Sequence, residues 1–343
     1  MTFTPEQVKA YRAAREQCAW RERNDLGFIE VRGADRYTWL QGMLSQELRL
    51  LEQGASSAYA YFLNATGHIL AELKIVRFAK AEESLLLVTT REIVERLMEQ
   101  LDRFLIMEDV ELRDVSDETT CFELYGREVE VSETLSKIGY AHRSSPSPEL
   151  IEGCQQDEVS DGGAEWCRIL NSFVVYTTPN DFVGYRNALQ TQAIPEIDAA
   201  VAEVLRIEGG IPRYPNELNE SVIALEANNA ATHVSFTKGC YIGQEIIARI
   251  DSRGHTNRAL TGFIGMGSAA LTEGEKVFSC DDNREIGRLT SALNESPLLS
   301  GKAIALGYLR HEFREAGTVV LVRGAGVEAK AIVVELPFAS RAC

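Results

Sequence analysis

From Leu260 to the C-terminus the chain alternates short apolar runs with turn residues, and this texture narrows the possible folds more than any other feature. The runs are Thr261 to Met266, Lys276 to Phe278, Ile286 to Ser291, Ala303 to Leu309, Val319 to Val322 and Ala329 to Val334, with glycines between them. Segments this short and this regularly interrupted suit a small antiparallel sandwich or barrel. A boundary is placed near residue 258, with a barrel expected over 258–343 and a separate α+β region over 1–257. The 343 residues leave room for about two domains of that kind.

The α+β region opens on Thr4-Pro5-Glu6-Gln7, a helix start with a capping hydroxyl, a first-turn proline and Gln in the reciprocal capping position. Gly27 to Arg32 reads as a strand and Tyr37 to Leu51 as one helix. Ala58 to Leu63 and His68 to Phe78 read as two strands joined at Asn64-Ala65-Thr66-Gly67. In the second strand Ile69, Ala71, Leu73 and Ile75 form one apolar face. Glu72 lies on the other face, which leaves it either solvated or looking into a cleft. Further on, Leu85 to Thr89, Val110 to Val115, Cys121 to Leu124, Trp166 to Leu170 and Phe173 to Thr177 read as strands. Helices are expected over Ile93 to Phe104, Glu128 to Ile138, Tyr185 to Ala193 and Asp198 to Glu208. Ser144 to Gly163 is rich in Ser, Pro, Gly and acid and is expected to be a mobile surface loop.

Composition excludes several function classes. The net charge of -16 repels nucleic acid and anionic membrane. No segment approaches the ~18 apolar residues that a membrane span needs, and the N-terminus lacks the architecture of a signal peptide. The seven cysteines are odd in number and none forms a Cys-x-x-Cys pair. That argues against a disulfide framework and against a self-contained zinc or iron–sulfur site. The five histidines show no metal spacing, so no metal is expected. A soluble, cytoplasmic protein in a reducing compartment is the expectation.

The run Lys238-Gly239-Cys240-Tyr241-Ile242-Gly243-Gln244-Glu245 carries the most chemistry. Its glycines imply a tight turn at a helix start, where exposed N–H groups favour anions. A cysteine there, two residues from Lys238, has reasons to be a thiolate; the alternative is a small buried apolar side chain. Between 238 and 258 Lys238, Arg249, Arg253 and Arg258 outnumber Glu245 and Asp251, with His255 in addition. This patch reads either as a solvated helix end or as a dock for an anionic small molecule. Earlier, Val201, Val204 and Leu205 make a helical apolar stripe on which Glu208 falls next. A carboxylate on a buried face needs a partner, either a structural one or a ligand rich in N–H donors.

Taken together, Leu205-Arg206-Ile207-Glu208-Gly209-Gly210-Ile211-Pro212 and the Lys238 to Glu245 run resemble the paired signature of the folate-binding YgfZ branch of the aminomethyltransferase (glycine-cleavage T-protein) superfamily. Leu40-Gln41-Gly42-Met43-Leu44-Ser45, Asn64-Ala65-Thr66-Gly67, Gly287-Arg288-Leu289-Thr290-Ser291 and Ala305-Leu306-Gly307-Tyr308 extend the likeness over nearly the whole chain.

The resemblance implies two interleaved α+β lobes and a C-terminal antiparallel β-barrel in a three-lobed ring, monomeric, with tetrahydrofolate in the central opening. It implies that Glu208 grips the pterin. Lys238, Gly239, Tyr241, Gln244, Glu245, Arg249, Arg258 and Thr90 are the further cofactor-binding candidates, the basic ones suiting the glutamate tail. Cys240 and Glu72 are the catalytic candidates. Where T-proteins carry an Asp-Asp pair this chain has Ala71-Glu72, it has Thr90 where they usually carry Asn, and it has Cys240 where they have no cysteine. These departures point to the YgfZ branch, whose members depend on folate and support assembly or repair of iron–sulfur clusters in other proteins. An aminomethyltransferase or demethylating enzyme is the alternative.

Overall fold

A computed structural model describes residues 3–53, 55–77, 83–140, 164–167, 172–324 and 327–338. The loop expected over 144–163, Cys154 and Cys343 lie outside the described residues. In chain order the elements begin with α1 (Pro5–Glu16), β1 (Cys18–Glu22), β2 (Leu26–Arg32), α2 (Arg36–Met43), α3 (Arg49–Glu52), β3 (Ser57–Leu63), β4 (Ile69–Arg77) and β5 (Ser84–Thr90). Then come α4 (Val94–Asp102), β6 (Glu111–Asp114), β7 (Thr120–Gly126), α5 (Glu128–Lys137), β8 (Ala164–Cys167), β9 (Ser172–Thr177) and α6 (Pro179–Thr191). After α7 (Ala199–Glu208), α8 (Ala230–His233) and α9 (Gln244–Arg253) follow β10 (Arg258–Gly265), β11 (Lys276–Ser279), β12 (Glu285–Ser296), β13 (Lys302–Arg310), β14 (Val319–Gly324) and β15 (Val327–Val334).

These elements form two compact units. A sheet unit comprises 8–197 and 229–246; a barrel unit comprises 1–7, 198–228 and 247–343.

The sheet unit holds a five-stranded sheet, order β3-β4-β5-β2-β6, and a four-stranded sheet, order β1-β7-β9-β8, with every neighbouring pair antiparallel. Phe28, Val76, Leu86 and Val88 of the first pack on Cys121, Val174 and Tyr176 of the second. Phe28 meets Tyr176 edge to face, centroids 6.4 Å apart. The outer face of the four-stranded sheet carries Trp20, Phe122, Leu124, Phe173 and Val175. It is covered by Val131 and Leu135 of α5 and by Phe182 and Leu189 of α6. Each fully buried side chain of this size contributes roughly 1.5–3 kcal/mol.

Two expectations for this unit need correction. Tyr37 to Leu51 is not one helix: α2 stops at Met43 and Leu44 turns extended, φ −107° and ψ 152°. Leu44 bridges to Phe62 of β3, and the backbone carbonyls around it face a distant ammonium described below. The helix expected over Tyr185 to Ala193 starts at Pro179 instead. Thr178 caps it by accepting from the Asp181 N–H at 3.2 Å, and Pro179 takes the first turn.

The N-terminal capping pair forms as read. Gln7 N donates to Thr4 Oγ1 at 3.2 Å and Thr4 N donates to Gln7 Oε1 at 2.9 Å. In the barrel unit Asp198 caps α7, accepting from Val201 N at 2.8 Å. Every apolar run read in the C-terminal segment is a strand, and they close a barrel in the order β10-β13-β12-β11-β14-β15. Phe263, Val277, Leu289, Leu309, Val320 and Val333 are among its fillers. The fold class expected from sequence, α+β with a C-terminal antiparallel barrel, is the one observed.

Candidate functional site

Lys238 organises the motif from within the sheet unit. Its side chain is buried, and Nζ donates to the carbonyl oxygens of Gln41 at 2.7 Å, Leu44 at 2.6 Å and Gln46 at 2.8 Å. Three acceptors match the three protons of an ammonium. Burial lowers its pKa from the ordinary 10.5 to about 8. The same Nζ lies 5.1 Å from the centre of the Tyr241 ring. Burial also pushes the Tyr241 hydroxyl up to about 12. Lys238, read from sequence as part of an anion dock, is thus a cross-link between the motif and the broken end of α2.

The turn that follows is built on this anchor. Gln244 Nε2 donates to the Gly239 carbonyl at 3.3 Å. Gly243 has φ +84°, and a Cβ there would stand 2.6 Å from the Asn64 carbonyl oxygen. The motif therefore seats against the Asn64–Gly67 hairpin turn, where Asn64 Oδ1 accepts from Thr66 N and His68 N. A Cβ at Gly239 would meet nothing within 4 Å. Cys240 in the turn and Glu245 in the first turn of α9 are exposed, and Cys240 is a free thiol. The buried reading of Cys240 is excluded.

Glu72 occupies the β4 face opposite Ile69 and Leu73, as its parity requires. Oε1 lies 2.9 Å from Nε2 of His233, a buried residue at the end of α8. The His233 ring stacks on Tyr61, centroids 4.7 Å apart, and tilts against Tyr59 at 5.1 Å. Its Nδ1 sits 2.7 Å from Thr232 Oγ1 and 3.2 Å from the Asn229 carbonyl. Lys74, on the same strand face, places Nζ 5.0 Å from the Tyr59 ring centre. The Glu72 side chain keeps 29% of its surface exposed. Among the described residues no hydrogen bond reaches its Oε2. Sequence pattern gave no pointer to His233; the pairing joins residues 161 positions apart. Thr90, the last residue of β5, pairs with Leu26 and is half-buried.

In the barrel unit Glu208 is fully buried. Its Oε1 accepts from Ser296 Oγ at 2.6 Å and from Leu298 N at 3.1 Å. This carboxylate therefore has structural partners within the barrel unit. Its neighbour Arg206 donates to Glu217 at 3.1 Å and to Ser291 at 2.7 Å. Glu217 also accepts from Ser291 Oγ at 2.6 Å and Arg213 N at 3.1 Å. This buried ion pair is a second polar centre that the apolar-stripe argument passed over. Arg258 is engaged as well: it donates to Glu226 at 3.0 Å and to the Ser221 carbonyl at 2.6 Å, and lies over the Tyr308 ring. Arg249 and Arg253 stand exposed on α9. The four-residue basic patch of the sequence thus divides, with Lys238 and Arg258 holding internal partners.

The chain is similar to known proteins over most of its length. Residues 3–141 match the GCVT N-terminal domain, and residues 258–339 match the glycine cleavage T-protein C-terminal barrel domain. A tRNA-modifying protein YgfZ of Hamiltonella defensa subsp. Acyrthosiphon pisum is 25% identical over 88% of this chain and 85% of its own. An aminomethyltransferase of a Geobacillus species is 27% identical over 97% of this chain and 90% of its own. The crystal structure of the glycine cleavage system aminomethyltransferase T from Bartonella henselae superposes with a TM-score of 0.79 at 19% identity, covering 96% of this chain and 89% of that one. No described helix is long and apolar enough to cross a membrane.

Proposed function

The chain belongs to the glycine-cleavage T-protein superfamily, and from that premise we propose that it is a tetrahydrofolate-binding accessory protein that supports assembly or repair of iron–sulfur clusters in client proteins. The observation that carries this reading is the exposed Cys240 thiol on a turn anchored by Lys238, within the motif that resembles the YgfZ branch. An exposed thiol on a rigid turn is placed to meet a partner protein. With no second cysteine in Cys-x-x-Cys spacing, its contact with a cluster or client is transient and not that of a resident cluster site.

The donor set supports a reduced folate as ligand. Such a molecule is rich in N–H donors, and Glu72 offers a partly exposed carboxylate. Glu208 is fully closed off, and its Oε1 already has two donors, so its role in gripping the pterin is the element of the reading to test first. The experiment titrates tetrahydrofolate against the wild type, Glu208→Gln and Cys240→Ala. Wild-type binding that Glu208→Gln weakens at least tenfold supports the assignment; equal affinity removes Glu208 from the site. Rescue of cluster-enzyme activity in a deletion strain is then compared for wild type and Cys240→Ala, and full rescue by the variant removes the thiol from the function.

One observation favours a second reading, the folate-dependent aminomethyltransferase. Glu72 keeps a carboxylate where that activity has one in the family that the sequence resembles. Ammonia release from an aminomethylated carrier protein and tetrahydrofolate, at rates abolished by Glu72→Gln, would select it.

A further inference from the structure

His233 serves no role in the reading above, yet it is buried and its ring touches five side chains or carbonyls of the sheet unit. Two tyrosines of β3 pack against it, Tyr61 stacked at 4.7 Å and Tyr59 tilted at 5.1 Å between ring centres. The Tyr61 hydroxyl donates to Asn229 Oδ1, fixing the segment that leads into α8. Nδ1 is held between Thr232 Oγ1 and the Asn229 carbonyl. With the ring packed against both tyrosines and held at Nδ1, Nε2 is the ring nitrogen that remains, and Glu72 Oε1 lies 2.9 Å from it.

The consequence falls on Glu72. A glutamate on a strand has three rotatable bonds and loses much of its freedom when one oxygen is fixed. Among the described residues no hydrogen bond reaches the other oxygen. From β5, Thr89 Oγ1 donates to the backbone carbonyl of Glu72 at 2.8 Å, not to the carboxylate. From β4, Lys74 directs its ammonium to the Tyr59 ring. From β3, Tyr61 directs its hydroxyl to Asn229. The titratable groups of β3 and β4 that face the pair are Tyr59, Tyr61 and Lys74, and among the described residues the hydrogen bond that the Glu72 carboxylate makes is the one between Oε1 and His233.

We propose that His233 is a positioning residue for an amine-receiving site: it clamps Oε1 of Glu72 so that Oε2 is held as the counter-ion of a protonated amine nitrogen on the ligand. The proposal rests on the folate reading for the identity of that ligand. A fixed carboxylate beside an amine favours the amine's charged form, so binding takes a proton from solvent. The proton ends on the ligand nitrogen, an N–H bond forms there, and its hydrogen bond points to Oε2. No electron transfer or co-reactant is involved. His233 contributes by keeping the anionic oxygen in place before the ligand arrives, which reduces the ordering cost of binding.

The test is calorimetric titration of tetrahydrofolate into the full chain at one pH in buffers of different ionisation enthalpy. The wild type is expected to show a binding enthalpy that varies with buffer, in the sense of proton uptake. Glu72→Gln is expected to bind without proton uptake. His233→Ala is expected to bind about tenfold more weakly, the effect of losing one charge-assisted hydrogen bond, with uptake reduced. His233→Gln, which retains an N–H donor for Oε1, is expected to recover at least part of both. A His233→Ala protein that is less stable by urea denaturation but unchanged in proton uptake would assign His233 a packing role and overturn the proposal. Buffer-independent enthalpy in a wild type that binds overturns the amine site while leaving the folate reading intact. Absence of any binding overturns the folate reading, and this proposal with it.

Discussion

The Lys238 ammonium lies 2.6 Å from the carbonyl oxygen of Leu44, across 194 positions of sequence. That contact, with its companions to Gln41 and Gln46, ties the Lys238 motif to the residue at which α2 ends. A helix continued through Leu44 would direct its carbonyls along its own axis. Ending it at Met43 leaves those carbonyls for the lysine.

Lys238→Met is expected to destabilise the sheet unit by about 3 kcal/mol. It removes three charge-assisted hydrogen bonds and leaves buried acceptors without a donor. Lys238→Arg is not expected to restore stability, because a planar guanidinium spreads its donors where the ammonium converges them on one point. Urea denaturation of the three proteins checks both statements.

Gly243→Ala and Gly239→Ala are expected to differ sharply. At Gly243 the backbone is left-handed and the new Cβ would meet the Asn64 carbonyl at 2.6 Å, so the hairpin turn or the motif must move. A loss of about 1–3 kcal/mol is expected. At Gly239 the methyl enters open space, and the change is expected to be within about 0.5 kcal/mol. Equal melting temperatures for the two variants would contradict the seating of the motif on the hairpin.

Alkylation of the native protein is expected to separate the cysteines. Cys240 is exposed, whereas Cys18 and Cys121 are buried, and burial pushes their thiols up to about 11 and about 12. Thiolate is the reactive form. Peptide mass spectrometry after a short treatment with iodoacetamide should find label on Cys240 and none on Cys18 or Cys121 until denaturant is added.

Acid should weaken the sheet unit in part through Asp25. Burial alone would raise its pKa, but the Arg23 guanidinium, with bonds at 2.9 and 2.8 Å, outweighs it and lowers the value from 3.8 to about 2. A depressed carboxylate pKa gives stability that is present above the unfolded value and is lost as pH falls through the folded one. The stability difference between wild type and Asp25→Asn is therefore expected to be full at pH 5 and to shrink between pH 3.8 and about 2. Denaturation midpoints measured across that range check the sign.

What the sequence alone determined is what depends on neighbours along the chain. The Thr4–Gln7 capping pair, the Asp198 cap and the six barrel strands follow from side chains within a few residues of the backbone they control. Family membership was equally legible, because motifs such as Lys238 to Glu245 are contiguous. Even where local reading erred, as at the start of α6, the signal was local and present in Thr178-Pro179.

Tertiary structure decided where the functional groups point. Lys238 was readable as a positive charge beside a cysteine, but its direction depends on carbonyls released some 200 residues earlier by the break after Met43. Glu72 was readable as a carboxylate on the polar face of a strand; that one oxygen is clamped and the other open depends on His233, on a helix of four residues with no periodic signature. Hydrogen bonds of this kind join groups far apart in sequence, and their energies favour a partner only when the fold has already removed water and brought the partner within 3 Å. Composition and periodicity carry no record of that distance.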